Sequence, residues 1–155
     1  MNLGFIGTGT IALSVIKGIF KSKISINKIY ISKRNKKKSQ KLKKEYNKVF
    51  IAKTNQEIVD KCNWIFLSVT PTVGNNIIKN LKFKSSQTII SFISTITLTQ
   101  LKKAIKVNAK IVRAIPLPPI SLKKGPVPIC PPNSKVRKFF NQLGTTVEIK
   151  NEKLS

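Results

Sequence analysis

A chain of 155 residues, 41% of them apolar, can bury a core as a single domain without disulfide or metal staples. Lys and Arg number 30 against five acids, for a formal charge of +25, yet all but three are Lys, spread along the chain beside many Ile and Asn that share A/T-rich codons, so a nucleic-acid partner is disfavoured. There is no histidine, the two cysteines form no CxxC pair and the acids show no paired spacing, which excludes a serine–histidine triad, a metal site and a glycosidase-type carboxylate pair and leaves any chemistry to a cofactor.

Residues 3–6 form a short apolar run ending at Gly7, and the next segment sets Ile11, Ala12, Val15, Ile16, Ile19 and Phe20 on one helical face. That reads as strand, glycine turn, helix. The apolar start has no basic segment ahead of it and is interrupted by glycines and Lys17, so it reads as core rather than as a signal or anchor, and a cytoplasmic protein without a membrane partner is expected. Residues 29–32 give a second strand, 35–46 a Lys-rich, helix-compatible stretch, and 49–52 a third strand. Residues 54–60 read as a short helix capped by Thr54 or Asn55. Residues 64–69 are apolar except for Ser68, the signature of a strand buried on both faces of a parallel sheet, and 88–93 and 111–115 repeat it. Amphipathic stretches at 73–81 and 98–105 separate these strands.

Such alternation predicts an α/β, doubly wound, mainly parallel sheet with helices on both faces through about residue 115. From 116 to 132 there are seven prolines, which forbid a long helix and predict an extended edge segment. Residues 134–143 return to helix, Gly144 closes it and 146–149 add a last strand. Residues 1–155 are expected to form one domain.

Gly7, Gly9 and Ala12 make a GxGxxA pattern where the first strand meets the first helix. Gly7 permits the tight turn, Gly9 lets backbone approach a pyrophosphate, Ala12 allows close packing of helix on strand, and the helix start supplies amides and positive dipole. This is the fingerprint of a Rossmann-like dinucleotide site. After the second strand stand Ser32, Lys33, Arg34 and Asn35, with no carboxylate to accept from a ribose 2′-hydroxyl and an Arg able to grip a 2′-phosphate, so NADP(H) is favoured, with NAD(H) as the alternative.

The runs GFIGTGTIA, ISKRN, TNQEIVDKCNWIFLSVTPT, IISFISTIT and VRAIPLPP, in this order and spacing, resemble the N-terminal domain of the pyrroline-5-carboxylate reductase family. More distantly, the chain is similar to F420-dependent NADP reductases and 3-hydroxyacid dehydrogenases. The resemblance implies that Gly7, Gly9, Thr10 and Ile11 meet the pyrophosphate, Ser32, Arg34 and Asn35 the 2′-phosphate, Asn55 the adenosine side, and Val69, Thr70 and Pro71 the nicotinamide end. For Asn55 and Pro71, capping and starting a helix are the structural alternatives. The chain departs from the family at Thr70, Thr95, Leu117 and Pro118, all toward the substrate end, so the implied substrate is a small imine or carbonyl compound and not necessarily pyrroline-5-carboxylate. No catalytic residue is identified. The family also carries a C-terminal helical domain that mediates dimerisation and supplies much of the substrate pocket, and it is missing from these 155 residues. A non-catalytic dinucleotide-binding module, or a truncated reductase, is the alternative.

Overall fold

The computed structural model describes residues 1–152; residues 153–155 of the expected domain lie outside the described part. Eight strands and six α-helices follow in the order β1 (Asn2–Ile6), α1 (Thr10–Lys21), β2 (Lys28–Ile31), α2 (Lys36–Glu45), β3 (Val49–Ile51), α3 (Asn55–Lys61), β4 (Trp64–Leu67), α4 (Pro71–Lys79), β5 (Thr88–Ser91), α5 (Leu98–Ile105), β6 (Lys110–Ala114), β7 (Pro126–Cys130), α6 (Ser134–Asn141) and β8 (Thr145–Glu148). A 3-10 helix, Pro118–Leu122, sits between β6 and β7. All eight strands share one sheet in the order β3-β2-β1-β4-β5-β6-β7-β8. The first six are parallel, β7 runs antiparallel to β6, and β8 is parallel to β7. This is the doubly wound, Rossmann-like sheet that the alternating pattern predicts.

Strand β4 is buried along its whole length, as its unbroken apolar sequence demands of a strand covered on both faces. Phe5 on β1 stacks on Phe66 on β4 at 4.5 Å between ring centroids, on the face covered by α1 and α6, where Trp64, Phe139 and Phe140 also pack. The opposite face holds Ile65 and Leu67 against Ile58 of α3, Ile78 of α4 and Leu101 of α5. Two apolar layers therefore clamp the sheet and hold the ends of its central strands in place.

The proline-rich segment lies on the β8 side of the sheet, with β7 one place in from the outermost strand. The prolines are tolerated there because of where their missing donors point. The Pro128 carbonyl accepts from Ile115 N–H at 3.0 Å, so Pro126 and Pro128 turn their nitrogens toward β6, which pairs with β7 at only two positions. Thr145 and Ile149 donate instead to the carbonyls of Gly125 and Ile129, on the β8 side. Beyond β8, Glu152 reaches back to the sheet. Its Oε1 accepts from Leu98 N–H at 2.8 Å and from the nearly buried Arg113 guanidinium at 2.6 Å, and Arg113 also donates to the Ser94 carbonyl.

Helix α1 crosses the 3-10 helix at Gly18, where a Cβ would stand 2.5 Å from the Ile120 carbonyl oxygen. Alanine would bring roughly 1 kcal/mol of helix propensity. Overpacking against a backbone carbonyl costs roughly 1–3 kcal/mol. Gly18→Ala is therefore expected to lower the midpoint of urea unfolding, and a raised midpoint would mean that the two helices can part freely.

Candidate functional site

The chain leaves β1 to build β2 and β3 on one side, then returns to build β4 on the other, so the carboxyl ends of β1 and β4 form the topological switch point of the sheet. Gly7 follows β1 with φ +99°, and a Cβ there would lie 2.1 Å from the carbonyl oxygen of Ser68, which follows β4. Both the left-handed backbone and the close approach require glycine. The Gly7 amide donates to Ser32 Oγ at 2.9 Å in a buried hydrogen bond, and Ser68 N–H donates to the Ile6 carbonyl at 2.8 Å. Strands β1, β2 and β4 thus brace one turn from both sides.

Gly9 caps α1 in extended conformation, with no side chain on the first-turn amides and no acid in that turn. The first residue to bond back into the helix is Leu13, whose N–H donates to the Gly9 carbonyl at 3.1 Å. The amides ahead of it have no partner within the helix and carry the positive end of its dipole. At Gly9 a Cβ would meet nothing closer than 3.8 Å, so the fold itself does not demand glycine there. What the missing side chain keeps open is a cavity of about 490 Å³, lined by Gly7, Thr8, Gly9, Arg34, Asn35, Lys36, Lys38, Ser68, Val69 and Thr70. Three of these are cations, all on the β2–α2 segment, and none is an acid. The arrangement suits an extended anion: amides and hydroxyls at one end, guanidinium and ammonium groups at the other.

Of the residues singled out in the sequence, Gly7, Gly9, Arg34, Asn35, Val69 and Thr70 line this cavity. Thr10, Ile11 and Ala12 form the first turn of α1, with Ala12 fully buried against the sheet. Ser32 sits behind the turn, 4% exposed, its hydroxyl accepting from Gly7 and its carbonyl accepting from Ser39 Oγ at 2.7 Å. Asn35 spends its Oδ1 on capping α2, accepting from Lys38 N–H at 3.1 Å. Asn55 is not a cap: Thr54 caps α3, accepting from Glu57 N–H, and Asn55 lines a separate groove with Thr72, Val73 and Asn76. Pro71 is the first residue of α4.

Thr8, Lys36, Lys38 and Ser68 line the cavity without having been singled out in the sequence. The two hydroxyls carried a positional signal, Thr8 lying between the glycines and Ser68 being the only polar residue in an apolar run. Lys36 and Lys38 carried none, because they are two of the many Lys between Lys33 and Lys44. Among the described residues no cluster of groups could hold a metal ion, and no helix is long and apolar enough to cross a membrane.

The sequence matches the model of the family described as NADP oxidoreductase, coenzyme F420-dependent, over residues 2–95. It is 27% identical over 128 residues to pyrroline-5-carboxylate reductase 3 of Danio rerio, covering 81% of this chain and 44% of the relative. The fold superposes on the 1-pyrroline-5-carboxylate reductase of Streptococcus pyogenes with TM-score 0.84 at 23% identity, covering 99% of this chain and 59% of that one. It superposes equally on the Plasmodium falciparum pyrroline carboxylate reductase solved with NADP bound, with TM-score 0.82 at 24% identity, covering 97% of this chain and 58% of that one. The chain thus spans about half the length of these relatives.

The turn's brace and the buried thiol after α3 each give a test. Ser32→Ala leaves the Gly7 amide buried without an acceptor and should lower stability by about 1–3 kcal/mol in urea unfolding; an unchanged midpoint would show that the turn holds itself. Cys62, the C-cap of α3, is buried, and desolvation pushes its thiol up to about 12, so it stays protonated and unreactive toward Ellman's reagent at pH 8 in the folded protein. The unfolded thiol titrates near 9, so this group leaves stability unchanged below that pH and lowers it from there toward 12. Rapid labelling under native conditions would contradict this placement.

Proposed function

The chain belongs to the NADP oxidoreductase, coenzyme F420-dependent family, and on that premise we propose that residues 1–155 are one dinucleotide-binding domain of a pyrroline-5-carboxylate-reductase-like enzyme, taking NADP(H) in preference to NAD(H). The observation that carries the reading is the cavity at the switch point, with a glycine turn at one end and Arg34 at the other. Gly9, Thr10 and Ile11 would present amides to the diphosphate, and Gly7 would shape the turn beneath it. Arg34, with Lys36 and Lys38 beside it, would take the 2′-phosphate. Asn35 would contribute through the helix start it caps, and Ser32 through the turn it braces, rather than by direct contact. Asn55 would border the adenosine side from its own groove. Val69, Thr70 and Pro71 would flank the nicotinamide.

When bound, the reduced nicotinamide supplies a hydride for a C=N or C=O carbon of a small substrate. The chain's own part in that reaction is to hold the ring at the carboxyl end of β4 and to exclude water from one side of it. No acid, histidine or reactive thiol lines the cavity, so proton delivery and much of the substrate pocket are assigned to polypeptide beyond the described residues or to solvent. The Plasmodium relative binds NADP, and the relatives' longer chains accommodate such additional polypeptide. A cytoplasmic location belongs to the same proposal, supported by two free cysteines, both buried.

Calorimetric titration with NADPH and NADH tests the reading. Wild-type protein should bind NADPH more tightly. Arg34→Ala should cost NADPH about 1.5–3 kcal/mol, tenfold or more in Kd, and leave NADH nearly unchanged. Equal losses for both cofactors would remove the 2′-phosphate from Arg34.

A further inference from the structure

We propose that Glu152 and Arg113 are positioning residues for the nicotinamide end of the cofactor: their ion pair fixes the turn after β5, and that turn backs Val69 in the wall of the cavity. The inference rests on the dinucleotide reading above, which sets the nicotinamide at Val69, and it adds two residues that lie outside the cavity lining.

Residues 92–97 join β5 to α5; within them Ile93 and Ile96 are buried, while Ser94 and Thr95 are exposed. The turn closes on itself with one long hydrogen bond, Ile96 N–H to the Ile93 carbonyl at 3.4 Å. Stronger groups hold it from outside. The guanidinium of Arg113, on β6, donates through Nη2 to the Ser94 carbonyl and through Nη1 to Glu152 Oε1, the latter at 2.6 Å. The same carboxylate oxygen accepts from Leu98 N–H, the first amide of α5, at 2.8 Å. Helix α5 has no acid in its own first turn, so Glu152 supplies, from 54 residues away, the negative charge that a helix start favours. Arg113 is nearly buried, and a buried guanidinium stripped of its counter-charge is strongly unfavourable. The pair therefore ties down the backbone of the turn at Ser94 and the helix start at Leu98 together.

On its inner side the turn reaches the cavity wall. A Cβ at Gly74 of α4 would stand 3.2 Å from both Ile93 Cδ1 and Val69 Cγ2 and 3.5 Å from Ile96 Cδ1, so these three side chains converge on one point. Val69 packs against the buried cluster to which Ile93 and Ile96 belong. Among the described residues that line the cavity, Val69 alone has a hydrocarbon side chain, the kind of surface on which an uncharged ring packs. Its place is set by the two isoleucines behind it, and theirs by the strap across Ser94 and Leu98, since close-packed interiors pass a displacement on. The cations of the lining stand apart from this chain of contacts. Arg34, Lys36 and Lys38 follow β2, which β1 and β4 separate from β5 in the sheet. Loosening the strap therefore disturbs the seat of the ring and leaves the seat of the 2′-phosphate as it was.

Calorimetry on the full chain compares wild type with Glu152→Gln, which keeps an acceptor for Leu98 and removes the charge facing Arg113. Glu148→Gln, which makes the same change of charge at the more exposed pair with Arg137, is the control. The probes are NADPH and 2′-phospho-ADP-ribose, which is NADPH without its nicotinamide. Wild type should bind NADPH the more tightly of the two. Glu152→Gln should raise Kd for NADPH by about 3–10-fold and leave 2′-phospho-ADP-ribose within about twofold, while Glu148→Gln should change neither. Amide NMR of unliganded Glu152→Gln should show shift changes at Ile93 to Leu98 and also at Val69, Thr70 and Gly74. Four results would overturn the positioning role: unchanged NADPH affinity in Glu152→Gln, equal losses for the two probes, a loss of the same size in Glu148→Gln, or silence at Val69, Thr70 and Gly74. Failure of the wild-type chain to bind either probe would instead overturn the dinucleotide reading, and the NMR comparison would still decide whether the strap reaches the cavity wall.

Discussion

At the centre of the molecule the backbone of Gly7 passes so close to the carbonyl of Ser68 that no side chain fits between them. That contact lets β1 and β4 pair in register up to Ile6 and Leu67 while the chain after β1 turns sharply into α1. The turn is held from the other flank by Ser32, whose hydroxyl takes the Gly7 amide. With both flanks fixed, the turn leads into α1 beside the cavity, whose lining includes Gly9, the N-cap of that helix. The proposed site builds on this geometry: a cavity with two glycines in its lining, the start of α1 beside it, and the segment after β2 supplying its cations.

Much of this was legible in the sequence because apolar periodicity reports burial. The unbroken run from Trp64 marked a strand covered on both faces, and GFIGTG marked the turn. What escaped depends on contacts between distant segments. Ser32 reads as a ligand donor at the end of β2, but only the fold shows that it reaches 25 residues back to the turn. Asn55 and Thr54 are equivalent cap candidates on paper, and the backbone chose Thr54. The prolines of β7 signal an edge, but the direction of their missing donors toward a short pairing with β6 allows the strand to lie one place inside. Gly18 looks like a defect in α1 until the Ile120 carbonyl is seen against it, and Glu152 looks like a tail residue until it meets Arg113.

The same view disposes of the charge excess as a puzzle. A net charge of +25 spread over the surface suggests little by itself, because Lys is everywhere. Within the cavity, however, charge is ordered. The first turn of α2 holds Lys36, Lys37 and Lys38 and no acid, against the usual preference of a helix start for negative charge. A bound anion near that turn would relieve the conflict, so a feature that weakens the isolated helix makes sense as part of a binding surface. The lining of that cavity contains no acid, histidine or thiol.

Amide NMR during titration with NADPH addresses the central claim most directly, because it reports which backbone groups meet the ligand. The account predicts that the largest shift changes fall on Gly7 to Ile11, with a second group at Arg34 to Lys38 and a third at Ser68 to Thr70. Changes concentrated instead along the groove of Asn55, Thr72 and Asn76, with the glycine turn silent, would contradict it.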